Sequence, residues 1–161
     1  MDKIKNKSFL RAILFFNIFV LSVAYFIEFV LDHEPCNLCV FERIPYLVSI
    51  ILISFLIFTN KFEKIIIVVL ALVFILGTII SFYHYGIEEG FFSESMLCDL
   101  RNEQFNLNKN ELLKELEKKT VSCKDVTFRF FGLSLATINT MLSFIQSVIF
   151  MKMFINYEKN W

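Results

Sequence analysis

Four long apolar runs dominate this chain and leave few ways to fold it: Phe9 to Leu31, Ile44 to Phe58, Ile65 to Gly86 and Phe130 to Met151. A helix needs about 20 mostly apolar residues to cross a bilayer, and these runs reach or approach that length. A backbone in lipid must satisfy its own hydrogen bonds, so such runs are helical. The second run is the shortest, and it spans only if its helix begins near Val40, with Pro45 kinking it or lying in its first turn. Either choice places Cys39 at the helix start. Hydrophobic residues make up 57% of the chain, against roughly 45–50% in a soluble domain, and mean hydropathy is +0.62. At 161 residues the chain is one domain, an all-α membrane bundle of four transmembrane helices, with bounds near 9–31, 40–59, 65–86 and 130–151. The first run follows a basic start but is too long for a signal-peptide core, and no small-residue cleavage site follows it; it reads as a retained helix.

The Lys and Arg residues flanking the runs set an orientation. Lys3, Lys5, Lys7 and Arg11, then Lys61 and Lys64, then Lys152 and Lys159 fall on one side, predicting that both termini are cytoplasmic. The opposite side receives two loops, about 32–39 and 87–129, and all four cysteines: Cys36, Cys39, Cys98 and Cys123. Disulfides persist outside the reducing cytosol, so this placement suits redox use. The formal net charge is zero, which gives no electrostatic reason to expect nucleic acid or an acidic substrate.

Cys36-Asn37-Leu38-Cys39 is a C-x-x-C, a spacing that closes a small, readily exchanged disulfide or supplies metal ligands. Cys98 and Cys123 lie far apart across a charged segment, which suits a loop-closing disulfide better than a metal knuckle. A zinc site made of all four cysteines, or two structural disulfides, are the competing readings. Arg43 follows Cys39 by four residues, one turn along a continuous helix, where a cation and a helix start together favour the thiolate. Taken alone, Arg43 would be an interfacial anchor and Glu42 its counter-ion.

The segment from Cys36 to Tyr46, Cys-Asn-Leu-Cys-Val-Phe-Glu-Arg-Ile-Pro-Tyr, resembles the C-x-L-C-x-x-x-R-x-P-Y segment of the DsbB family, the disulfide bond formation protein B group. Phe128 to Ser134 resembles the aromatic-x-F-x-G-L-S start of that family's last helix, with Phe128 where Trp is common, and Asn139 falls where the family often has Asn. The resemblance implies a quinone-linked thiol oxidase of the bacterial inner membrane. It implies disulfides Cys36–Cys39 and Cys98–Cys123, a periplasmic DsbA-like thioredoxin-fold oxidase as partner, ubiquinone or menaquinone as acceptor, and no metal. The partner's thiolate would attack Cys98 with Cys123 leaving; an inter-loop Cys36–Cys123 bond would follow, freeing Cys39 beside the quinone. Such a partner is itself a strong oxidant at about −120 mV, beyond the reach of a glutathione-like acceptor.

Arg43 is then expected to bind the quinone, with Glu42 and His84 as further candidates. His84 lies in Phe82-Tyr83-His84-Tyr85, where an interfacial aromatic belt is the plainer reading. Glu28, near the end of the first run, is given no chemistry. Leu112, Leu113 and Leu116 in the charged stretch Lys109 to Lys119 predict a short amphipathic helix between the loop cysteines. A vitamin K epoxide reductase-like bundle is the nearest redox alternative, but its C-x-x-C lies in the last helix.

Overall fold

The computed structural model describes residues 2–33, 35–59, 62–93, 98, 123, 129–130 and 132–159. The elements are α1 (Asp2–Phe29), α2 (Asn37–Phe41), α3 (Ile44–Thr59), α4 (Glu63–Glu88), β1 (Arg129–Phe130), β2 (Leu133–Ser134) and α5 (Leu135–Lys159). Four segments are long and apolar enough to cross a membrane: Lys7–Phe29, Asn37–Thr59, Glu63–Glu88 and Leu135–Tyr157. The predicted helix at Lys109 to Lys119, and Lys61, Phe128 and Phe131, lie outside the described residues.

Two boundaries differ from expectation. The second span is two helices, broken at Glu42 and Arg43. Pro45 has no N–H to offer the carbonyl of Phe41, so a helix starting at Asn37 cannot run through unbroken. Cys36 rather than Cys39 is the residue before the helix: it is extended (φ −69°, ψ 166°), and its sulfur accepts the Cys39 N–H at 3.3 Å. The last helix starts at Leu135 instead of 130. Two short strands pair antiparallel, Arg129 with Ser134 and Phe130 with Leu133, and Gly132 between them has a left-handed φ of 84°. Ser134 then caps α5, its Oγ accepting the Thr137 N–H at 3.2 Å.

Helix α4 packs mainly on α5, α1 on α3, and α3 on α4. Their shared core is mainly aliphatic, with an aromatic centre: Phe74 meets Tyr46 edge-on (centroids 5.6 Å) and stacks on Phe150 (5.7 Å). Phe15, Phe19, Phe58 and Phe82 instead face outward, as lipid-facing residues do. Lipid gives no hydrophobic drive between helices, so close approach and polar contacts must hold them together. A Cβ on Gly77 would stand 2.9 Å from Pro45 Cγ, so glycine there lets α3 and α4 touch. Deeper in the bundle, Asn17 Nδ2 donates to Ser49 Oγ (2.6 Å) and Gln146 Nε2 donates to Asn17 Oδ1 (2.6 Å).

Asn17 is fully buried and joins three helices through these bonds. Asn17→Ala is expected to lower stability by about 1–2 kcal/mol, because Ser49 and Gln146 each lose a partner in a dry setting. Reversible unfolding in mixed micelles would measure it; an unchanged midpoint would assign no cohesion to this triad.

Candidate active site

Cys36 is buried and Cys39 half-buried, and both are thiols. The expected Cys36–Cys39 disulfide is therefore not formed in this structure. The two sulfurs stand 2.9 Å apart. Cys36 Sγ also lies 3.5 Å from His84 Nε2. These contacts hold the Cys36 thiol down to about 4: the Cys39 hydrogen bond is the largest cause, burial opposes it, and the His84 hydrogen bond and charge reinforce it.

His84 is almost wholly enclosed, so the aromatic-belt reading does not hold. Its Nδ1 is 2.8 Å from Glu42 Oε1, and Glu42 Oε2 accepts from Asn139 Nδ2 at 2.9 Å. Asn139 Nδ2 also donates to Ser81 Oγ (2.7 Å), and Tyr46 OH donates to Asn139 Oδ1 (2.6 Å). Glu88, one turn beyond His84, places Oε1 3.8 Å from His84 Nε2. Cys36, His84, Glu42, Asn139 and Tyr46 thus form one hydrogen-bonded chain running from α2 across α4 to α5 and α3. Glu42 was expected as the counter-ion of Arg43; it pairs instead with His84, while Arg43 pairs with Glu28, although both border one cavity.

Arg43 pairs with Glu28 of α1 and lies over the Tyr25 ring, 4.9 Å from its centroid. It is not one turn along a continuous helix from Cys39, as the sequence predicts; the two residues share a cavity. That cavity, of about 290 Å³, lies between α1, the α2–α3 junction and α5. Phe19, Val23, Ile138 and Leu142 are among its apolar walls, while Cys39, Glu28, Glu42, Arg43 and Asn139 converge at its polar end. His84 stands behind Glu42, one hydrogen bond from the wall. Glu28 is the residue that sequence reading passed over; an ionisable side chain inside a membrane span was the available signal.

Cys98 and Cys123 are joined by a disulfide (Cα–Cα 6.0 Å). They pack with Cys36, Cys39, Leu38 and Ile87, and Asn37 Nδ2 donates to the Cys98 carbonyl at 3.0 Å. All four cysteines therefore meet at one end of the bundle.

A four-helix membrane bundle with a C-x-x-C packed against a second, bonded cysteine pair defines a membrane thiol–disulfide exchange protein. Residues 6–153 match the family model described as disulfide bond formation protein DsbB, and the chain belongs to the DsbB family. An uncharacterized protein of Rickettsia prowazekii (strain Madrid E), RP370, is 27% identical over 147 residues, covering 89% of this chain and 84% of that protein. Family membership makes this a multi-pass membrane disulfide oxidoreductase that acts in disulfide bond formation with a disulfide-exchange partner.

Proposed function

We propose that the chain reoxidises a soluble, DsbA-like thioredoxin-fold dithiol oxidase and passes the electrons to ubiquinone or menaquinone. The observation that carries this reading is the cavity at Cys39. Its apolar walls and its polar end, which offers a guanidinium, two carboxyls, an amide and a sulfur, fit a flat apolar ring bearing two carbonyl oxygens. Its volume accommodates a ring head, with an isoprenoid tail left among the outward-facing Phe16 and Phe19 of α1. A bound quinone supplies a two-electron, two-proton acceptor.

The chain's own steps balance as follows. The partner's thiolate attacks Cys98 and the Cys98–Cys123 bond breaks, leaving Cys123 as thiolate. The partner's second thiolate then displaces Cys98, so the partner leaves oxidised and Cys98 takes up a proton. Cys123 next attacks Cys36 of an oxidised Cys36–Cys39 pair, and Cys39 departs as thiolate at the cavity wall. Attack of Cys98 on Cys123 restores the loop disulfide and leaves Cys36 and Cys39 reduced. Return of the two sulfurs to a disulfide removes two electrons and the remaining thiol proton, which a bound quinone would accept; Cys39 would face that acceptor, and Cys36, already biased to thiolate, would supply the second sulfur of the bond. His84 and Glu42 hold that charge and line a route for its proton. We place the protein in a bacterial inner membrane with both termini cytoplasmic and the cysteines periplasmic, on the basic flanks Lys7, Arg11, Lys64 and Lys152.

The test is loss of oxidised-quinone absorbance when purified, detergent-solubilised protein receives reduced thioredoxin-fold oxidase. Loss with catalytic turnover supports the proposal; no loss with ubiquinone or menaquinone, using a partner shown to be active, overturns it. In the same assay Arg43→Ala is expected to slow quinone reduction about tenfold, the scale of one hydrogen bond to a developing charge. Formation of the mixed disulfide at Cys98 should survive, since Arg43 lies on the cavity side. Equal rates for variant and parent would remove Arg43 from the site.

A further inference from the structure

Cys36 Sγ, Cys39 Sγ and His84 Nε2 all lie within 4.8 Å of one another. We propose that this triad is also a metal site: the reduced protein binds one thiophilic d¹⁰ dication, zinc in the first instance, through Cys36, Cys39 and His84, and is thereby held reduced. The site differs from the four-cysteine zinc reading of the sequence, because its third ligand is an imidazole and the loop disulfide takes no part.

Three features argue for it. Two thiolates and an imidazole are a donor set that suits zinc, at Zn–S distances of about 2.3 Å and Zn–N of about 2.0–2.1 Å. Ligands around a tetrahedral ion stand roughly 3.3–3.8 Å apart at those bond lengths. The observed Cys36–His84 separation of 3.5 Å is in that range; the two sulfurs would open from 2.9 Å, and Cys39 Sγ lies within 4.8 Å of His84 Nε2. Next, His84 is already held as a ligand histidine is held. Its Nδ1 is bound to the Glu42 carboxylate at 2.8 Å, which leaves Nε2 directed at the sulfurs, and Asn139 fixes Glu42 in turn. Finally, Cys39 borders the cavity, so a metal on these three ligands keeps a fourth position open to a small molecule or to Glu88, whose Oε1 is 3.8 Å from Nε2.

Binding needs no oxidant: Cys36 is already thiolate, the Cys39 thiol and His84 Nε2 each release any proton they carry to solvent, and two metal–sulfur bonds and one metal–nitrogen bond form. An oxidised Cys36–Cys39 pair retains only His84 as a ligand, so the site exists in the reduced protein and disappears when electrons leave. Bound metal occupies both sulfurs and blocks their return to a disulfide. The inference does not depend on which acceptor drains the pair.

The test uses the full chain in detergent, without quinone or partner, reduced and freed of reductant. Cadmium is titrated while its thiolate charge-transfer absorbance is followed, and zinc is then used to displace it. One equivalent should bind, with no binding once Cys36–Cys39 is reoxidised. Glu42→Gln should weaken zinc by about 10–100-fold, as loss of an outer carboxylate on a ligand histidine does, and His84→Ala should weaken it further. Because full reduction also frees Cys98 and Cys123, the Cys98→Ser/Cys123→Ser variant is titrated too, and it should retain the site. The proposal is overturned by absence of the band when Cys36 and Cys39 are counted as free thiols. It is equally overturned by an affinity in the parent that neither His84→Ala nor Glu42→Gln alters, a comparison that holds even if the double serine variant misfolds.

Discussion

Cys39→Ser is expected to bring quinone reduction to background, a loss of at least ~10³-fold, on the scale seen when one member of a catalytic unit is deleted. Of the two C-x-x-C sulfurs, Cys39 borders the cavity, whereas Cys36 is buried against His84 and the loop disulfide. A serine hydroxyl neither forms a disulfide with Cys36 nor leaves as a stable anion, so electrons arriving at Cys36 have no exit. The loss should be selective. The Cys98–Cys123 disulfide does not depend on Cys39, and the variant should still oxidise about one equivalent of partner dithiol before stopping. Stopped-flow mixing with reduced partner separates that single turnover from quinone absorbance. Persisting quinone reduction in Cys39→Ser, with loss in Cys36→Ser, would move the exit to Cys36 and require a second cavity behind His84.

The parts of this architecture set by the membrane are legible in the sequence, and those set by contacts between helices are not. An apolar run long enough to span must be a helix wherever it occurs, so four spans follow from composition and length alone. Their ends are less visible. Phe130 and Leu133 are as apolar as the helix they precede, and only Gly132 and Ser134 mark the strand pair and cap that delay α5 to Leu135. In the second span, Pro45 signals a disturbance but does not say that Glu42 and Arg43 will diverge. That divergence decides the site: Glu42 goes to His84, and Arg43 goes to Glu28.

Cys36, His84, Glu42, Asn139 and Tyr46 become one network through pairings 42 to 97 residues apart. No periodicity encodes such distances. The polar residues themselves were a usable signal, since an Asn, Glu, Gln or His inside an apolar run is costly unless it has a partner. Asn17, Glu28 and Gln146 satisfy that condition, and each has such a partner in the bundle.

His84→Gln is expected to raise the midpoint of Cys36 ionisation by about 1–3 pH units, the effect of removing a nearby cation and hydrogen-bond donor from an anion. The sign follows from the parent. Cys36 is held down to about 4, well below the ordinary thiol value, so its thiolate is stabilised by the fold. That stabilisation is fully present above the unfolded thiol's value of about 8.5 and is lost progressively as pH falls through about 4. Across that window the reduced protein gains stability over its unfolded form as pH rises. A glutamine still offers a neutral donor but carries no charge, and the Cys39 hydrogen bond, the largest contribution, is left in place.

At about pH 5 the parent should therefore react with a small alkylating reagent at Cys36 about 2–100-fold faster than the variant, according to the size of the shift, with the gap closing as both ionise. Mass mapping of the alkylated cysteine over a pH series reads this directly, independently of quinone or partner. The same change should make the Cys36–Cys39 pair a weaker oxidant in His84→Gln, because a less stabilised thiolate means a less stabilised reduced form. Alkylation profiles that coincide would mean that Cys39 alone holds the Cys36 charge, leaving His84 and Glu42 to orient the pair or to bind metal.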